Sequence, residues 1–342
     1  MSKGLTLLFS FLILVACSDK PATNVLFSVD ANNPMVVELD NYTPIPLIAQ
    51  AGKPETMVAS PISKVERVGN KLIMMGMMAG NFQLIAYDVK SGEYITRIGN
   101  KGRAENEYSM LNTFYINDSG NVIIYDRAAR KYLEYKTTGE YIATHAAPQI
   151  PYDNIATLGD GYLVTIFKRD GGDNYMLTYY NQDFSSSEPV GEQKQSYAMA
   201  QYKLLQDGEQ AYAVSPFGRT IWRVNPDKSI EKMCEFDFGE YNMPSLDSFT
   251  SEEDMLKAMS NPKYARGFTV SSLHDGFLTF KYGVSSPMVA WADMASGKTQ
   301  SLKINSSDKI IYRGIHDKDL VVITETEQNA NLYIIANCTE LK

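Results

Sequence analysis

The stretch "KIIYRGIHDKDLVVITETEQNANLYIIANCTELK", residues 309–342, decides the architecture. It supplies three runs rich in Val, Ile, Leu and Tyr, parted by polar turns, the pattern of successive strands. The chain then stops where a fourth run is due, so the missing strand must come from elsewhere in the sequence.

The same unit recurs upstream. Turn signals behind an aromatic or aliphatic strand fall at "YDVKSGEYI" (Gly92), "YKTTGEYI" (Gly139), "YYNQDFSS" (Asp183), "RVNPDKSI" (Asp227) and "WADMASGKT" (Gly297), with separations of 47, 44, 44 and 70 residues. A second series runs half a unit out of phase at Asn70, Ser119, Asp160, Asp207, Asp275 and Asp317, with steps of 49, 41, 47, 68 and 42. Both series place the long step at the same point. There the sequence reads "NMPSLDSFTSEEDMLKAMSNPKYAR", in which Thr250 and Glu253 have capping-box spacing, "EEDMLKAM" is a run of helix formers and Pro262 stops it. The excess is therefore an inserted helix near 250–261.

A period in the forties with four strands per unit is that of a β-propeller blade, and six turns of the second series give six blades. The expected spans are 62–98, 111–146, 153–191, 200–238, 267–305 and 309–338. The fold class is all-β, a six-bladed ring over residues 34–342. For the closing strand the sequence offers "PMVVELD", residues 34–40, so Met35 to Leu39 is expected to complete the sixth blade and cover its open edge.

Ahead of the ring, residues 4–16, "GLTLLFSFLILVA", carry no charge and have the length of a signal-peptide core, too short to span a bilayer comfortably. Leu14-Val15-Ala16-Cys17 resembles the lipobox of bacterial lipoproteins, which implies a lipid on Cys17, removal of residues 1–16 and a polar tether over 17–33. The full chain has a formal charge of −8, and loss of Lys3 with the leader makes it −9. An acidic surface argues against nucleic acid as partner, since phosphate backbones are bound by clustered Lys and Arg. Besides Cys17 only Cys234 and Cys338 occur, read as free thiols, and no spacing suggests a zinc site.

One linker carries a family likeness. "ITRIGNKGRAENEY", residues 95–108, places Ile98-Gly99, Gly102 and Tyr108 as in the blade-to-blade linkers of NHL-type six-bladed propellers. With the lipobox, the whole resembles the TolB-like propeller lipoproteins of Bacteroidota. The stretch Arg103 to Tyr108 departs from the Gly-Pro-Gly-Glu-Phe type of that group. The resemblance implies an extracytoplasmic propeller at the cell envelope, without assigning an activity.

Strand alternation puts the blade-to-blade linkers and the turns between second and third strands on one face, where propellers bind their ligands. The candidates there are Arg103, Glu105, Asp126, Arg127, Arg169, Asp173, Arg219 and Arg266. Arg127, Arg169 and Arg219, from successive blades, are the set expected to clasp an anionic or polyhydroxy ligand. Catalysis has less to stand on. His274 and His316 occupy equivalent turns of the opposite face, and "RDGGDN" (169–174) lacks the oxygen spacing of a strong calcium site. Asp126, Asp173 and Glu105 are the carboxylates an alternative hydrolase or lyase acting on glycans or esters would use. "MMGMM" (74–78) and the strand tyrosines Tyr132, Tyr135 and Tyr141 read as packing residues. The sequence thus predicts a monomeric, membrane-anchored module that binds a small polar ligand or a protein at its linker face. No cofactor, metal or catalytic residue is assigned.

Overall fold

The structure, a computed structural model, describes residues 24–53, 57, 59–78, 81–117, 119–146, 154–165, 177–191, 202–207, 209–215, 219–245, 248–274, 276–326 and 329–341. Residues 1–16, Cys17 and the whole 169–174 segment, with Arg169 and Asp173, lie outside these residues.

Six antiparallel sheets follow one another along the chain. Blade one is built of Ala59–Val68, Lys71–Met78, Asn81–Asp88 and Tyr94–Arg97, and blade two of Thr113–Ile116, Val122–Asp126, Lys131–Tyr135 and Tyr141–Ala146. Blade three comprises Asn154–Leu158, Gly161–Thr165, Thr178–Tyr180 and Ser187–Pro189. Blade four comprises Lys203–Asp207, Gln210–Val214, Thr220–Val224 and Ile230–Asp237. Blade five is Arg266–His274, Phe277–Gly283, Pro287–Asp293 and Thr299–Asn305. Blade six takes Lys309–His316, Asp319–Glu325 and Ala330–Ile335 from the C-terminus. The first strands neighbour one another around the ring, which makes them the inner wall. Alternate side chains along a strand then pack against the blade on either side. In blade one Met74 joins a cluster with Val321 and Leu332 of blade six, while Met75 joins one with Phe114 and Leu133 of blade two.

Closure uses an N-terminal strand, but not the expected one. Among the described residues three short strands precede blade one: β1 (Val25–Ser28), β2 (Met35–Glu38) and β3 (Ile45–Leu47). The fourth strand of blade six is β3, antiparallel to Ala330–Ile335 with Asn331 opposite Pro46. Met35 to Leu39 instead lies one blade earlier, where β2 pairs in parallel with Thr299–Asn305 and Val37 faces Ile304. A blade edge tolerates the proline because the outermost strand need not donate hydrogen bonds on its free side.

The tether also ends sooner than expected. β1 pairs in parallel with Ile230–Asp237 of blade four, so residues from Asn24 onward belong to the propeller. The segment thus runs as a belt around the rim: a fifth strand for blade four, a fifth for blade five and the fourth for blade six. It then reaches blade one, where the Ile48 amide donates to the Gly92 carbonyl (2.8 Å). Phe27 and Leu39, both fully buried, are its anchors, Phe27 stacking on Phe236 at 5.4 Å. Gly92 is required beneath it, since a Cβ there would lie 2.0 Å from the Pro46 carbonyl oxygen.

The insertion is one α-helix, α1 (Glu252–Ser260). Its N-cap is Ser251, whose hydroxyl accepts from the Asp254 amide (3.1 Å), so the capping pair is shifted one residue from Thr250 and Glu253. Asn261, extended as a residue before proline must be, ends it, and Met255 plugs it into the core.

Candidate functional site

The linker face does not assemble the expected clasp. Asp126 is fully buried, and its carboxylate accepts from the amides of Ser109 (2.6 Å), Met110 (3.3 Å), Ala128 and Ala129 (both 3.1 Å) and from the Ser109 hydroxyl. Four amides and a hydroxyl leave no lone pair facing outward, so this side chain pins the linker to the turn after its strand and is not a ligand group. Arg219 is likewise folded back, donating to Glu235 (3.2 Å) and to the carbonyls of Phe236 and Met243. Arg103 and Glu105 stay exposed on the first linker and Arg127 on a separate turn. The Glu105 backbone carbonyl accepts from Lys131 Nζ (2.9 Å) and Thr144 Oγ1 (3.0 Å), so the linker is docked on blade two. Of the eight candidates, Arg266 lines a cleft built from described residues.

That cleft, about 550 Å³, opens on the linker face between blades five and six, with Ile62 of blade one and Met259 of α1 completing its walls. Arg266 begins the inner strand of blade five, and its guanidinium donates to the Ser260 carbonyl at the C-terminal end of α1 (3.1 Å) and to the Val284 carbonyl (3.4 Å). Arg313, on the inner strand of blade six, donates to the Pro287 carbonyl (3.0 Å). Lys281 comes from the second strand of blade five, and its ammonium lies 4.3 Å from the centroid of the Tyr312 ring. All three cations line one cleft, and among the described residues no carboxylate lines it.

Local packing fixes these positions. Tyr312 has room for its hydroxyl because residue 314 is glycine, where a Cβ would approach that oxygen to 2.5 Å. The same hydroxyl meets His316 Nε2 at 2.8 Å, which orients the ring under Lys281. Burial, then the neighbouring Arg313 charge, lowers the Lys281 ammonium from its ordinary value to about 8. Burial also lowers Arg313. His316 is lowered to about 4 by burial and by Lys281, Arg67 and Lys64, so its imidazole is neutral at pH 7. The one carboxylate acting on Lys281, Glu66, is already paired with Lys64 at 3.1 Å. An acidic chain thus concentrates positive charge at one point of its channel mouth.

On the opposite face His274 Nδ1 meets Asp207 of the preceding blade at 3.0 Å. Cys234 and Cys338 are free and buried. Among the described residues no group of three or more His, Cys, Asp or Glu side chains is placed to hold a metal, and no helix is long and apolar enough to cross a membrane.

Comparison with known proteins adds the family. A domain of unknown function, DUF4934, matches residues 53–340. The chain belongs to the DUF4934 family. Its match starts just after β3, so the belt precedes the matched region. No functionally curated protein matches this DUF4934 member. Among solved structures it is similar to a Bacteroides fragilis protein inferred to be exported, at 17% identity and TM-score 0.66, covering 92% of this chain and 99% of that one. It is also similar to a DUF4221 family member from Bacteroides vulgatus, at 9% identity and TM-score 0.50, covering 85% and 95%. At these identities the likeness establishes the fold. A streptogramin B lyase, at 9% identity and TM-score 0.44 over 85% of this chain and 97% of that one, is too distant to bear on activity.

Proposed function

We propose that this DUF4934 member is an extracytoplasmic binding propeller that captures an anionic ligand at the Arg266, Lys281 and Arg313 cleft. The observation that carries this reading is the set of three cations lining one cleft, with no carboxylate among its described lining residues, in a protein of charge −8. Cations kept together at an energetic cost, with hydrogen-bond donors still available, form the kind of pre-organised site that an anion completes.

The same proposal places the chain among TolB-like envelope lipoproteins, monomeric, without nucleic acid as partner and anchored through lipid on Cys17. Residues 4–16 and the exported Bacteroides fragilis protein of the same fold support export. A hydrolase or lyase gains no support from Asp126, whose carboxylate is enclosed by backbone donors.

Isothermal titration of the chain lacking residues 1–17 with inorganic phosphate tests the binding site. Binding is expected, with Lys281→Met weakening it at least about tenfold and neutral sugars giving no signal. Affinity should fall as pH rises through about 8, because Lys281 then loses its charge. Phosphate binding unaffected by Lys281→Met would reject the cleft. For the anchor, Cys17→Ser should yield a soluble, folded protein that takes up no labelled palmitate.

A further inference from the structure

The cleft has a second chemical character that inorganic anions do not use. Besides its cations, the cleft is lined by apolar side chains from three elements: Met259 from α1, Met288 from the third strand of blade five, and Ile310 from the inner strand of blade six. Met259 comes from the inserted helix, and Arg266 ties that helix to the cleft through the Ser260 carbonyl. Met255, fully buried four residues earlier on α1, sets the helix in place. A cleft of about 550 Å³ is also far larger than a bare oxyanion and is in the range of sites for small organic molecules.

We infer that the ligand is an organic anion with an apolar body, its charged group held by Arg266, Lys281 and Arg313 and its body lying against Met259, Met288 and Ile310. The helical insertion is then a wall of the binding site, and Met259 is a specificity residue. Methionine suits the task because its flexible, polarizable side chain adapts to varied apolar surfaces. This rests on the anion-binding reading above and specifies the class of ligand.

The test compares phenyl phosphate, inorganic phosphate and phenol by isothermal titration on the chain lacking residues 1–17, in the unchanged protein and in Met259→Ser and Lys281→Met variants, each checked for folding by circular dichroism. Phenyl phosphate is expected to bind roughly 10- to 100-fold more tightly than inorganic phosphate, with phenol weakest, because ring burial adds to charge recognition. Met259→Ser should remove about tenfold of that advantage and leave inorganic phosphate unchanged, whereas Lys281→Met should weaken both phosphates. Equal affinity for the two phosphates would overturn the apolar-body inference while leaving the anion site intact. A full aryl advantage in Met259→Ser would remove the helix from the site. Failure of both phosphates to bind would reject the anion site itself and this inference with it.

Discussion

Blades five and three come from the same repeat but treat their outer edges in opposite ways. Blade five has strands of 9, 7, 7 and 7 residues and then gains β2, so that its fourth strand is interior and Leu302 and Ser301 are buried. Blade three has described strands of 5, 5, 3 and 3 residues, and the last, Ser187–Pro189, is exposed throughout. An edge that is not covered is made safe by shortness, a charge and a proline, here Glu188 and Pro189. The cation cleft is on the covered side of the ring, between blades five and six.

Removing residues 24–44, and with them β1 and β2, should therefore have the largest effect and should act unequally. Hydrogen exchange in Ile230–Asp237 and Thr299–Asn305 is expected to rise to the level of blade three, with the melting temperature down by roughly 10 °C or more. Unchanged protection in those two strands would make the belt dispensable. Next comes Phe27→Ala, expected to cost about 3–5 kcal/mol in denaturant unfolding because a fully buried ring leaves a cavity. Phe184→Ala in blade three, where the ring is half-buried against Tyr162, should cost roughly 1–2 kcal/mol.

A pair of glycines sharpens the same contrast. Gly92 and Gly120 both have positive φ, at +71° and +75°, but only Gly92 lies under the belt. Alanine at 120 should cost about 1 kcal/mol for backbone strain alone, and at 92 at least about 2 kcal/mol more for collision with Pro46. Equal losses at both sites would mean that the belt yields freely. A further effect is expected in acid. With its folded value near 4, below the ordinary 6.5, His316 stays neutral while the unfolded chain takes up a proton, so stability falls as pH drops from 6.5 towards 4. The loss, a few kcal/mol at most, should be absent in His316→Gln and should open blade six before blade two.

Sequence reading captured what periodicity records. Two turn series gave six blades, the inserted helix and, from the missing strand, closure by the N-terminus. It missed β3 because "TPIPLIA" contains two prolines, which weigh against a strand except at an edge, and edges are defined only by the assembled sheet. It missed the parallel pairing of β1 and β2 because each is four residues long and pairs with a strand some 200 residues or more away. At the site, Arg266 was legible as a loop cation. Lys281 and Arg313 lie inside "GFLTFKYG" and "KIIYRGIH", where a charge interrupting an apolar run was the available signal. The role of Asp126 was masked for the opposite reason: "DRAAR" looks like a charged loop, while the carboxylate is folded inward onto amides that only three dimensions bring together.

The belt also sets an order of assembly. Val25 precedes its partner Cys234 by 209 positions, and Val37 precedes Ile304 by still more. Blades one to three can form as their own residues emerge, while the leading segment has no place to dock until blade four has formed, and its β2 and β3 wait for blades five and six. Such distant pairing slows the last step of folding, and a chain with that step outstanding keeps its N-terminal end extended and accessible.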